Sequence, residues 1–213
     1  MIFTEESAIK VAEYLLKKQA VKLNSTTPFV WASGWNSPIY CDNRKTLSYP
    51  ELRNYIRQQF VQAAREKIAH IDAVAGVATG GIAHGVLLAQ ELGLPFLYVR
   101  SAAKGHGMQN LIEGEIPVGR TVLVVEDLVS TGGSSLQAVT ALREAGCEVK
   151  SMFTVFDYDF DVKKENFKKA NCELISLTNY EYVLKAALEM DYIRENEVEI
   201  LQEWRSNPQS WKK

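Results

Sequence analysis

The chain has little cysteine, and what it has is poorly placed for bridging. Cys41, Cys147 and Cys172 are odd in number and widely spaced, which argues against a disulfide framework and fits reduced thiols of a cytoplasmic protein, with Cys147 and Cys172 expected in the core. A basic excess is missing too: 24 Lys and Arg stand against 26 Asp and Glu, so the charge balance does not point to nucleic acid. No apolar run approaches membrane-spanning length, and the opening MIFTEESAIK is acidic rather than signal-like, so neither membrane nor leader is expected. Repeats and low-complexity linkers are absent. So are G-x-G-x-x-G, G-x-x-x-x-G-K-[ST] and any Ser–His–Asp signature. What remains is 213 residues, 46% hydrophobic, enough for one domain whose core needs no staples.

The most informative stretch that is present is Thr121–Ala138, TVLVVEDLVSTGGSSLQA. Val122, Leu123, Val124 and Val125 read as a strand buried on both faces. Glu126 and Asp127 follow, then Ser130-Thr131-Gly132-Gly133-Ser134-Ser135, then helical spacing at Leu136, Val139, Thr140 and Ala141. Hydroxyls and glycines let backbone N–H groups converge on a ligand, and the helix N-terminus favours an anion such as phosphate. Carboxylates beside such a cradle suit sugar hydroxyls or a metal ion, not the phosphate itself. The ordinary alternative is a strand-to-helix turn with Ser134 as N-cap and a solvated acidic pair.

Upstream, residues 4–19 predict a helix capped by Thr4, with Ala8, Val11, Ala12, Leu15 and Leu16 facing inward. TTPFVWASGWNSPIYCDNR alternates and carries Pro and Gly, predicting a hairpin with strands near Phe29–Ala32 and Ile39–Asp42; its Trp31 and Trp35 are packing aromatics or the wall of a site for a flat heterocycle. Ser48-Tyr49-Pro50-Glu51 reads as a capping box opening a helix to about Ala69. Strand Ala73–Val77, then Ala78-Thr79-Gly80-Gly81, then a helix near Ile82–Glu91 repeat the strand–glycine–helix plan. Gly80 and Gly81 serve either a tight turn or a close approach to phosphate. After strand Phe96–Val99, residues 101–110 have no period, and Arg100, Lys104 and His106 make this stretch basic in an acidic chain, as a lid over an anion would be. Glu148–Phe156 predicts a strand, Val162–Ala170 a helix, Cys172–Leu177 a last strand, and residues 179–205 helix.

Four apolar residues, Glu-Asp, three residues and Thr-Gly-Gly resemble the phosphoribosyl-diphosphate motif of type I phosphoribosyltransferases. The hairpin FVWASGWNSPIYCDNR, GVATGGI, YVRSAAKGHG and VLVVEDLVSTGGSS also occur in the order of the orotate phosphoribosyltransferase family, over about residues 28–135. This resemblance implies an α/β fold with a central, mostly parallel sheet flanked by helices and a small N-terminal hood. Residues 1–213 would form a single domain: 1–68 helices and hood, 69–178 core, 179–213 C-terminal helices.

The implied reaction joins orotate to 5-phosphoribosyl 1-diphosphate, giving orotidine 5′-monophosphate and diphosphate for pyrimidine synthesis. In that reading Ser130, Thr131, Gly132, Gly133 and Ser134 hold the 5′-phosphate with Leu128 and Val129 beside them, and Glu126 and Asp127 take the ribose hydroxyls. Thr79 and Gly80 touch diphosphate along with Arg100, Lys104 and His106; Lys104, His106, Glu126 and Asp127 are the catalytic set. Orotate meets Ser130 and, at its carboxylate, Arg44. The resemblance further implies Mg²⁺ carried by diphosphate with no direct protein ligand, a homodimer with shared active sites, and a cis peptide at Ala78–Thr79. The sequence departs from some members at Ala32, Thr79-Gly80, Ser101 and near Tyr158, where those carry further cations. A phosphoribosyltransferase for another base, or a non-catalytic phosphoribosyl-diphosphate sensor, are the alternatives; the acidic N-terminus and basic lid disfavour the sensor.

Overall fold

Apolar spacing organises the first element as expected. In the structure, a computed structural model describing residues 1–31, 34–100 and 111–211, Ala8, Val11, Ala12, Leu15 and Leu16 line the buried face of helix α1 (Glu5–Lys17). Thr4 caps it, its Oγ1 accepting the Ser7 N–H at 3.1 Å.

The next segment departs from the single hairpin. Strands β1 (Val21–Leu23), β2 (Phe29–Val30), β3 (Asn36–Ser37) and β4 (Ile39–Cys41) follow in order. β2 pairs with β3, but β4 returns to pair with β1, Leu23 opposite Ile39. Pro38 ends β3, and the buried Ser37 hydroxyl bonds both the carbonyl and the N–H of Ile39, so the chain changes partners there. A 3₁₀ segment, Asn43–Ser48, then leads into α2 (Pro50–Lys67). The capping box does not form. Tyr49 occupies the N-cap because its N–H closes the 3₁₀ turn on Thr46, and Glu51 instead accepts the Tyr14 hydroxyl at 3.2 Å.

The core continues as β5 (Ala73–Val77), α3 (Gly80–Leu92), β6 (Phe96–Val99), β7 (Ile112–Glu113), β8 (Val122–Val129), α4 (Gly133–Glu144), β9 (Ser151–Asp157), α5 (Asp161–Lys169) and β10 (Glu173–Asn179). They build a six-stranded sheet in the order β10-β9-β8-β5-β6-β7, parallel throughout except for β6 against β7. This is the α/β, mostly parallel architecture that the sequence predicted. β9 begins later than expected because Glu148 makes only an isolated bridge to Thr121. The predicted C-terminal helical stretch divides into α6 (Tyr180–Glu189) and α7 (Glu195–Ser206), interrupted where Asp191 turns to φ +53°.

Alternation along β8 sends Leu123 and Val125 into a core with α1, α2, α3, α6 and α7, and Val122 and Val124 into a second core with α4 and α5. Both sheet faces are therefore covered, as the unbroken apolar run required. Cys147 and Cys172 are buried and unbridged, and Cys41 is half-buried. Among the described residues, no helix is long and apolar enough to cross a membrane.

Candidate active site

β8 runs four residues beyond its apolar stretch, carrying Glu126 and Asp127 to the carboxyl edge of the sheet. Open parallel sheets place their ligands at that edge. The two-residue period of a strand separates the carboxylates. Glu126 turns to the α4 side and is 7% exposed; its Oε2 accepts the Ser135 hydroxyl at 3.1 Å and its Oε1 the Asp127 N–H at 3.0 Å. Burial first, and the neighbouring Asp127 charge second, push its pKa to about 9, so it is a neutral acid at pH 7. Ser135 is the partner that sequence reading missed, one position past the expected cradle.

Asp127 lies on the α3 side. A Cβ on Gly80 would sit 2.1 Å from the Asp127 Cγ, and one on Gly81 would sit 2.3 Å from the Val125 carbonyl oxygen. These glycines therefore let the first turn of α3 seat against β8, a closer fit than either reading of their sequence anticipated. The Ala78–Thr79 peptide is cis, as expected, and Thr79 is exposed at the mouth of this turn.

Past Asp127 the chain enters the loop that the sequence offers as a phosphate cradle. Gly132 adopts φ +81°, and a Cβ there would come within 2.7 Å of the Phe167 ring on α5. Asn166 Nδ2 donates to the Thr131 carbonyl at 2.9 Å, fixing the loop from below. α4 starts at Gly133 with Gly132, not Ser134, at its N-cap, and no side chain supplies the cap bond. Gly133 and Ser134 are exposed and Ser130 and Thr131 partly so, and the first N–H groups of α4, which no side chain caps, are of the kind that favours an anion. Leu128 is partly buried, while the Val129 side chain lies in the core and its carbonyl accepts the Tyr158 N–H; only Val129's main chain remains near the cradle.

The cations divide. Arg100 leaves the end of β6 at the same edge, its Nη1 3.4 Å from Glu113 Oε1. Arg44 is largely exposed and bonds Asp42 Oδ1 at 2.7 Å; Asp42 and, more weakly, Asp127 raise its pKa. Lys104 and His106 lie outside the described residues. Asn43, between Asp42 and Arg44, was not singled out by the sequence reading, yet its Nδ2 donates to the Asp127 carbonyl at 2.6 Å. No local pattern could have exposed a contact between positions so far apart in the chain.

Above the edge, the hood is fastened to α7. Trp204 Nε1 donates to the Asn36 carbonyl at 3.1 Å, Ser25 bonds Glu197 at 2.5 Å, and Trp31 packs on Tyr158 and Trp204 at 5.0 and 5.6 Å between ring centres. Trp35 stacks on Trp31 at 6.4 Å. Trp31 is thus a packing aromatic, and its stacking holds Trp35 in place.

The sequence model of the family described as "Phosphoribosyl transferase domain" matches residues 49–188. The orotate phosphoribosyltransferase of Phocaeicola vulgatus is 56% identical over 200 residues, 94% of each chain. That of Cytophaga hutchinsonii is 50% identical over 213 residues, the full length of both. The crystal structure of orotate phosphoribosyltransferase from Aeropyrum pernix superposes with a TM-score of 0.75 at 29% identity, covering 86% of this chain and 99% of that one.

Proposed function

This chain belongs to the orotate phosphoribosyltransferases of the phosphoribosyl transferase family, and from that premise we propose how its residues divide the work. The reaction moves the 5-phosphoribosyl group of phosphoribosyl diphosphate onto orotate, releasing diphosphate and forming orotidine 5′-monophosphate for pyrimidine synthesis. The observation that carries the assignment is the order along one sheet edge: a carboxylate seated on α3, then an uncapped helix N-terminus. Sugar hydroxyls and a 5′-phosphate are spaced for those two neighbours in turn.

In this reading Ser130 to Ser134 hold the 5′-phosphate through backbone N–H groups and hydroxyls, with the main chain of Leu128 and Val129 beside them. Asp127 accepts from a ribose hydroxyl. Glu126, neutral and bonded at both oxygens, positions the Asp127 main chain. Thr79 and Gly80 line the diphosphate end with Arg100. Lys104 and His106 are assigned there on sequence alone. Leaving-group charge is stabilised by these cations as the C1′–oxygen bond breaks, while positive charge grows on the ribose near Asp127. Arg44 and Ser130 face orotate.

Mg²⁺ would neutralise part of the diphosphate charge. Among the described residues no group of three or more His, Cys, Asp or Glu converges on one point, and both Glu126 oxygens are engaged. An ion carried in by the diphosphate would need no such cluster. The enzyme is proposed to act in the cytoplasm as a homodimer.

Loss of orotate absorbance on adding phosphoribosyl diphosphate and Mg²⁺, run beside adenine, hypoxanthine and uracil, tests the proposal. Turnover with orotate alone is expected. Faster use of another base would overturn it.

A further inference from the structure

Asp127 is held from two sides, and one of them lies outside the sheet. Pairing between β5 and β8 ends at Gly76 opposite Val125, so beyond that point β8 has lost its neighbour on the β5 side. On its other side β8 stays paired with β9, Leu128 opposite Phe156 and Val129 opposite Asp157. On the open flank Asn43 brings a side-chain donor to the Asp127 carbonyl, through Nδ2 at 2.6 Å.

Asn43 is 1% exposed, and its side-chain nitrogen, side-chain oxygen and main-chain carbonyl are all engaged. Its Oδ1 accepts the Cys41 thiol proton at 3.3 Å, and burial holds that thiol protonated by raising its pKa well above the usual value. Its own carbonyl accepts the Thr46 hydroxyl at 2.6 Å. That hydroxyl has spent its one proton, so at the 3.4 Å contact with His84 Nε2 it must be the acceptor and His84 the donor. His84 sits two per cent exposed on α3, the helix whose Gly80 underlies the Asp127 carboxylate. Asp127, α3, His84, Thr46 and Asn43 thus close a ring.

We propose that Asn43 is a positioning residue for this reaction, setting the Asp127 main chain and coupling the Asp42–Arg44 segment to the ribose carboxylate. The proposal rests on the site reading given above. An amide is required because it donates to one carbonyl and accepts from one thiol together. A carboxylate of the same shape has no proton for the Asp127 oxygen and would repel it.

Asn43→Asp tests this. Expected are a kcat lower by roughly 10- to 100-fold, the scale on which small misplacements of reacting groups act, and a smaller change in KM for phosphoribosyl diphosphate. In an Asp127→Asn background the same substitution should cost little more, since its effect runs through that carboxylate. Equal losses in both backgrounds, or unchanged kcat per folded molecule, would overturn the proposal. If Asn43→Asp does not fold, Thr46→Val removes the hydroxyl behind Asn43 and should lower kcat in the same direction by about three- to tenfold; an unchanged kcat there is equally fatal. Amide exchange across Val125–Val129 needs no substrate and should be faster in either variant. Faster exchange in an enzyme whose wild type ignores orotate would indict the site reading and leave the positioning role standing; unaltered exchange would count against the role itself.

Discussion

Glu126 and Asp127 are neighbours in sequence that face opposite sides of the sheet, one bonded to Ser135 of α4 and the other seated on Gly80 of α3. The first is a buried neutral acid and the second half-exposed beside the cradle. A pair that reads as two equivalent carboxylates is two different groups, and they should answer differently to substitution.

Glu126→Gln keeps an acceptor for the Asp127 N–H and replaces a proton that the folded state retains to about pH 9, while the unfolded chain loses it near 4.5. Between those values the native state binds more protons, so this group's contribution to stability is present below about 4.5 and is lost as pH rises towards 9. The variant should gain on the wild type as pH rises, by on the order of 10 °C in melting temperature at pH 9 and little at pH 5. Paired melting curves from pH 5 to 9 check this; a constant offset would mean that Glu126 is ionised in the fold.

Gly80→Ala places a methyl group where the Asp127 carboxylate lies. The carboxylate must move, so turnover should fall by about 100-fold or more. The helix itself tolerates alanine better than glycine, and the loss of melting temperature should stay within a few degrees. Steady-state kinetics beside a melting curve separate the two effects.

Trp204→Phe removes the indole donor to Asn36 and part of the packing under Trp31. Losing that hydrogen bond costs about 0.5–1.5 kcal/mol. The hood should loosen against α7, raising KM for orotate more than KM for phosphoribosyl diphosphate. Equal rises in both would show that the fastening serves the whole edge.

Lys104→Ala and Asp127→Ala, each inactive alone, test the shared-site homodimer. If Lys104 serves the partner's site, unfolding and refolding the two together gives about half mixed dimers, each with one intact site, and roughly a quarter of wild-type activity returns. Mixed dimers confirmed by mass yet silent in the assay would assign each Lys104 to its own chain.

Much of the core was legible because burial on two faces leaves an unbroken apolar signature at Val122–Val125 and Ala73–Val77, and because glycines at a strand-to-helix junction mark close approach. The hood was less so. Strands of two or three residues have no measurable period, and Pro38 with Ser37 redirected the pairing of β4 to a strand that had not been recognised. The capping box failed because two local bonds competed and Tyr14 claimed Glu51. Asn43 and Asn166 could not be found locally, since each acts on a carbonyl far away in sequence. Asn looks the same in a loop whether it meets water or a main chain.

The hood's own two-stranded pairings are separate from the six-stranded sheet, and the family-wide match begins at residue 49, where the hood has ended. Such a division lets a lineage revise one half of a bisubstrate enzyme while leaving the other untouched. Grafting residues 20–48 from a relative should therefore transfer tolerance for altered pyrimidines without retuning the sugar-phosphate end, provided the graft brings an amide to position 43 and a surface that fits Trp204. Those two seams, more than overall identity, set which relatives can serve as donors.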